Sequence, residues 1–162
     1  MLIYLRHGDD RGTDVYRHDR HLNRRGKKRA RKAFDALAKK YGHPDTIFVS
    51  PFRRTVQTLE AMTARFKRPV GIHREPRIAQ YLGDKKEPIV SPETAALVAR
   101  DESWGAFQTR IRLHVEDVRG RERVGAAIWC VTHQIVIEEV ALCFGVKIPG
   151  DLDFLDYVVM LG

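Results

Sequence analysis

Apolar residues in this chain fall into short unbroken runs and helical stripes that take turns along the sequence. Leu2 to Leu5 is a continuous apolar run and predicts a first strand. Over residues 22–41, Ala30, Ala33, Phe34, Leu37, Ala38 and Tyr41 recur at helical spacing, with Asn23 as N-cap and Gly42 with Pro44 as the stop. Ile47-Phe48-Val49 predicts a second buried strand. Ser50 as cap and Pro51 at the first helical position then open a helix with Phe52, Leu59, Met62 and Phe66 on one side. Residues 70–72 read as a short strand, and 74–90 as loop. Two helices follow, near 91–99 and 103–119. Residues 126–131 form a strongly apolar strand. Val136, Ile137, Val140, Ala141 and Phe144 make an amphipathic helix that Gly145 ends, and residues 154–161 make a final strand.

Unalternating strands between amphipathic helices indicate an α/β protein with a mostly parallel sheet covered on both faces. The chain of 162 residues suits one domain spanning 1–162, and 43% hydrophobic residues is ordinary for a globular protein. No internal repeat or low-complexity tract interrupts it. No apolar run approaches the roughly 20 residues that span a bilayer, and Arg6 and His7 break the N-terminal apolar run, against a signal peptide. The expectation is a cytoplasmic protein. Cys130 and Cys143 both sit among apolar residues and read as buried thiols, without a disulfide framework or a Cys-based metal site.

Charge changes the picture locally. The net charge is +8. Residues 6–40 hold 13 Lys and Arg against 5 Asp, and the rest of the chain holds 16 of each sign, so one segment carries the excess. An electropositive face and an anionic partner follow. The helix around Arg24 to Lys32 could take nucleic acid, but no aromatic residues interleave with its charges, and a solvated helix face is the simpler reading. His18, Asp19 and His21, near Asp9, Asp10 and Asp14, stand among arginines and match no metal-ligand spacing. No metal and no cofactor is expected.

In a sheet of this kind ligands bind at the carboxyl ends of the strands. Three such ends carry chemistry: Arg6-His7-Gly8, Ser50-Pro51-Phe52-Arg53-Arg54 and Thr132-His133. A phosphate group needs its oxygens clamped, a nucleophile, and help for its leaving group. Arg offers a fork of donors that matches phosphate, and a helix N-terminus adds N–H groups. A neutral imidazole held in one tautomer is a good nucleophile. His7 fits the nucleophile, a local carbonyl would fix its other nitrogen, Arg6 and Arg54 fit the clamp, and His133 fits a donor to a phosphate oxygen. Gly8 permits a tight turn beneath the phosphate. Arg53 reads as surface or as an auxiliary contact.

Leu2-Ile3-Tyr4-Leu5-Arg6-His7-Gly8, Ser50 to Thr58, and Val131-Thr132-His133 resemble, in order, three motifs of the histidine phosphatase superfamily, the phosphoglycerate mutase-like fold. Leu22-Asn23-Arg24-Arg25-Gly26 is similar to a helix start in the same place. The resemblance spans nearly the whole chain and includes small bacterial phosphohistidine phosphatases. It implies a three-layer α/β/α sandwich, a phosphohistidine intermediate on His7, and a phosphate pocket of Arg6, Arg54 and His133. Three departures stand out. Gln80 occupies the middle-loop position where many members carry a proton-donating Glu. Gln134 follows His133 where Gly or Asp is familiar. Thr13 falls where many relatives place Asn. Gly8, Thr13, Gln80 and Gln134 are taken as substrate-binding positions. The proton donor stays open between Asp9, beside the motif, and Asp84, Glu87 or Glu75 in the middle loop. A phosphoramidate or acyl phosphate, with its good leaving group, would need none. Little chain remains for a lid, which favours an open site for a phosphorylated small molecule or protein and counts against a mutase. The competing expectation is a degenerate phosphatase fold that binds phosphorylated or nucleic-acid ligands without turnover.

Overall fold

In the computed structural model, the residues described are 1–10, 20–83, 91–98, 102–121, 125–148 and 150–160. They form β1 (Leu2–Arg6), α1 (Arg24–Tyr41), β2 (Thr46–Val49), α2 (Arg53–Thr63), β3 (Gly71–Arg74), a 3-10 turn (Pro76–Ile78), α3 (Pro92–Ala95), α4 (Trp104–Arg121), β4 (Ile128–Thr132), α5 (Gln134–Cys143) and β5 (Tyr157–Met160). The sheet order is β3-β2-β4-β1-β5. Its β1–β4, β2–β4 and β2–β3 pairs are parallel, and β5 closes the β1 edge antiparallel.

Both faces of the sheet are buried, which is why its central strands lack polar alternation. Ile3, Leu5, Ile47, Val49, Trp129 and Val131 point to one side, where Phe34 and Leu37 of α1 and Leu59 and Met62 of α2 cover them. Leu2, Tyr4, Phe48, Ile128 and Cys130 point to the other, against Phe107, Ile111 and Val115 of α4 and Val136, Ile137 and Val140 of α5. The protein is therefore a three-layer α/β/α sandwich. No described helix is long and apolar enough to cross a membrane.

Several boundaries differ from the pattern reading. Asn23 caps α1, its side chain accepting from the Gly26 N–H at 2.7 Å, and Gly42 ends that helix at φ 85°. Ser50 does not cap α2. Its side chain is engaged elsewhere, and the helix begins at Arg53 after Phe52 with no side-chain cap. Of the predicted helix at 91–99, the described residues 91–98 form only one helical turn, α3, with Ser91 as its cap. β5 starts three residues late because residues 154–155 make a turn with Leu155 at φ 68°. Cys130 is buried and Cys143 half-buried, and neither is in a disulfide.

Candidate active site

The parallel register sets β1, β2 and β4 side by side, so their carboxyl ends meet. Arg6 lies opposite Thr132, and Val49 opposite Val131. His7 leaves β1 with its N–H on the Thr132 carbonyl, and the Ser50 N–H bonds the Val131 carbonyl. The helices that follow β2 and β4 both start here, neither with a side-chain cap. Their first N–H groups and partial positive charge therefore face the same space.

His7 is 5% exposed. Its Nδ1 lies 2.8 Å from the Gly8 carbonyl, and Arg54 donates from Nε to its Nε2 at 3.0 Å. An arginine can only donate, so Nε2 carries the lone pair and Nδ1 the proton. Burial, then the charges of Arg54 and Arg6, hold this imidazole well below its ordinary value. His133 is buried on the opposite wall, with its ring 5.4 Å from that of His7. Its Nδ1 accepts from Arg54 Nη2 at 3.1 Å, and its Nε2 therefore donates to Ser50 Oγ at 2.9 Å. Burial and then Arg54 push it well below the usual range as well. Two neutral imidazoles thus present lone pairs to one guanidinium.

Arg54 is 3% exposed and also donates to Gln80 Oε1. Asp10 stands 3.6 Å from its Nε. Arg6 reaches Gln134 Oε1 at 3.0 Å and the Leu152 carbonyl, and its guanidinium lies 4.7 Å above the Phe154 ring. Its Nε is buried with no hydrogen-bond partner among the described residues. A cavity of about 310 Å³ opens over this cluster, lined by Arg6, His7, Gln80, His133, Gln134, Ile135 and Glu138. A slightly larger cavity, about 340 Å³, is lined instead by His21, Arg53, Gln57 and Arg74 with Glu60 and Glu93. Its histidine, His21, is exposed and meets Arg53 only at 3.4 Å, whereas the smaller cavity has two buried imidazoles on the buried Arg54, so the chemistry belongs there.

The structure thus brings together Arg6, His7, Arg54, Gln80, His133 and Gln134. Gly8 has a different place from the one expected. Its N–H goes to Thr58 Oγ1 at 2.9 Å, it does not line the cavity, and a Cβ on it would meet Leu22 Cδ1 at 3.0 Å. A side chain there would press on Leu22 and, at 3.3 Å, on the Gly26 carbonyl oxygen. Asp9 is 3% exposed, with its carbonyl on the Asn23 N–H, and it too lies outside the cavity lining. Glu75 is committed to Arg77, at 2.7 Å, with His114 beside it at 3.7 Å; burial raises its carboxyl, but His114 and then Arg77 outweigh that and pull it far below the ordinary range. Thr13, Asp84 and Glu87 lie outside the described residues. Asp10, Ser50, Thr58 and Glu138 were missed as site residues. Only Ser50 and Thr58 had a signal, since both lie within the second motif. Among the described residues, no three His, Cys, Asp or Glu side chains are grouped to hold a metal ion.

The sequence profile described as "Histidine phosphatase superfamily (branch 1)" matches residues 2–150. The chain belongs to this superfamily. No curated protein sequence matches it. Solved structures share its fold at low identity. The protein histidine phosphatase SixA complexed with tungstate is 18% identical, with 95% of this chain and 83% of that one covered at a TM-score of 0.67. The ecdysone phosphate phosphatase of Bombyx mori, also with tungstate, is 15% identical over 96% and 86%, at 0.69. A mycobacterial glucosyl-3-phosphoglycerate phosphatase complexed with VO3 is 19% identical over 96% and 90%, again at 0.69. All three are phosphatases by name, each of a different substrate, and the phosphoglycerate mutase-like architecture read from the motifs is the one observed.

Proposed function

We propose that the protein is a metal-independent phosphatase that hydrolyses phosphate esters or phosphoramidates, free or carried on a protein, through a phosphohistidine on His7. The observation that carries this reading is the fixed tautomer of His7. Its Nδ1–H is engaged by the Gly8 carbonyl, so the Nε2 lone pair faces the cavity, and Arg54 and His133 meet beside it. Such a nitrogen is nucleophilic without a base to activate it. A substrate phosphoryl would displace the Arg54 contact to Nε2 and take the donors of Arg54 and Arg6, including the unpartnered Arg6 Nε. His7 attacks phosphorus, the leaving group departs on the far side, and water then cleaves the P–N bond. His133 must gain a proton at Nδ1 to donate to a phosphoryl oxygen, and the dianion supplies the charge that favours it. The test is hydrolysis of 4-nitrophenyl phosphate with EDTA present, for the wild type and His7→Ala. Loss of turnover and of acid-labile ³²P labelling in the variant is expected. Equal rates from the two proteins refute the proposal.

A further inference from the structure

The middle loop offers Gln80 where a proton donor is needed, and an amide cannot transfer a proton. The cavity wall supplies another group. Glu138 lies one turn into α5 and lines the same cavity as His7 and His133. It shares a helix face with Gln134, four residues earlier, and helical side chains lean toward the N-terminus, which here is the pocket end. Gln134 ties the carboxyl into the clamp. Its Oε1 accepts from Arg6 at 3.0 Å, while its Nε2 donates to Glu138 Oε1 at 2.8 Å. The second carboxyl oxygen, Oε2, remains for a proton. No Lys or Arg among the described residues pairs with Glu138, and it is only partly exposed.

We infer that Glu138 is the general acid and base of this site, supplying from α5 the proton that Gln80 cannot. The assignment rests on the phosphatase reading above and names the proton path within it. A phosphoryl on His7 Nε2 directs its leaving group away from His7, toward the cavity mouth. Of the seven described lining residues, Gln80, Gln134 and Ile135 hold no transferable proton, Arg6 does not release one, and His7 and His133 serve the phosphoryl itself. Glu138 is left. As the P–O bond breaks, its electron pair goes to the leaving oxygen, which takes the proton from Glu138 Oε2. The products are the alcohol, phosphohistidine and the Glu138 carboxylate. That carboxylate then takes a proton from water, whose oxygen attacks phosphorus. The P–N bond returns its electron pair to Nε2, and inorganic phosphate leaves with Glu138 protonated again. Substrates with poor leaving groups, such as alkyl phosphates, thereby come within reach.

The experiment compares kcat/KM of the wild type, Glu138→Gln and Glu138→Asp on 4-nitrophenyl phosphate and glycerol 2-phosphate. An acid acts on the poor leaving group and hardly on the good one. Glu138→Gln is expected to lose about 10²–10⁴-fold on the alkyl ester and under about threefold on the aryl ester. It should also lose the alkaline limb of the alkyl pH profile, while Glu138→Asp keeps that limb. Equal losses on both esters indicate a structural role and overturn the assignment. So does an unchanged alkyl rate, or a wild type that cleaves only the aryl ester. If Glu138→Gln does not fold, Glu138→Asp decides alone, and an aspartate profile without the alkaline limb overturns the assignment. A wild type without His7-dependent turnover of either ester refutes the phosphatase reading itself, and this inference with it.

Discussion

Gly26→Ala sets two effects of opposite sign against each other. Gly26 sits in the first turn of α1, where alanine is preferred to glycine by up to about 1 kcal/mol. On propensity alone the substitution stabilises. The structure predicts otherwise. A Cβ at Gly26 would stand 2.9 Å from both the Asp9 nitrogen and Leu22 Cγ, and closer still to the Asp9 carbonyl oxygen. Ordinary carbon contacts begin near 3.5 Å, so helix and loop must part by roughly 0.6 Å or more. The obstacle is backbone, and the Asp9 carbonyl also holds the Asn23 N–H at 3.1 Å. Overpacking of this kind costs about 1–3 kcal/mol and loss of the hydrogen bond about 1 more, which exceeds the propensity gain. A net loss of about 1–3 kcal/mol should lower Tm by roughly 3–10 °C. Asp9 is two residues from His7, and a 1 Å misplacement of a reacting group costs about 10²-fold, so kcat/KM should fall by about 10–10²-fold. Gly105 and Gly120 in α4 have open space where a Cβ would go. Their alanine variants should match or exceed wild-type stability and keep its activity. Urea melts and aryl phosphate kinetics on the three variants check this. A Gly26→Ala protein as stable and as active as those controls would refute the close-approach argument.

Arg54→Lys keeps the charge but not the fork that meets His7, Gln80 and His133, and should lower kcat/KM by about 10²–10³-fold; a variant within threefold, on the scale of about 10²–10³ for one lost transition-state donor, contradicts the clamp. Acid should destabilise the fold. Burial holds His7, His133 and His114 below their ordinary range, and the unfolded chain binds protons near pH 6.5 that the folded protein does not accept. Stability should therefore be level above about pH 7 and fall between about pH 6.5 and 5, each histidine contributing up to about 1.4 kcal/mol per pH unit, and urea midpoints that hold or rise on acidification would contradict it. Tungstate, which carries no proton at pH 8, should bind with uptake of close to one proton, read by calorimetry in two buffers of different ionisation enthalpy. Buffer-independent heats would show that His133 stays neutral in the complex.

What the residues made legible in advance follows from how each element is stabilised. β1 and β4 are recognisable because both their faces are buried, and the same pattern places His7 and His133 at strand ends. β3 is read only in part, as 70–72 instead of Gly71–Arg74, because all four of its residues are exposed and no apolar pattern marks where its pairing with β2 ends. Ser50-Pro51 imitates a helix start. The serine hydroxyl instead serves His133, and the helix begins at Arg53, which puts Arg54 in its first turn. Asp9 and Asp10 are indistinguishable as neighbours in sequence. Only the path of the chain after β1 buries the first and brings the second to Arg54. Glu138 was unreadable for a different reason. It lies on the polar side of an amphipathic helix, where a charge signals solvent, and only the docking of α5 at the sheet's carboxyl edge turns that side toward His7. The burial that makes this site selective also leaves it incomplete. It keeps His7 neutral and nucleophilic, but by the same desolvation it keeps His133 unprotonated and unable to donate. Two arginines cannot remedy that, since their charge opposes a third cation. A phosphoryl dianion can, because its charge favours the imidazolium next to it. The ligand's own charge thus completes the donor set, and a neutral analogue of the same shape should find only part of the pocket ready for it.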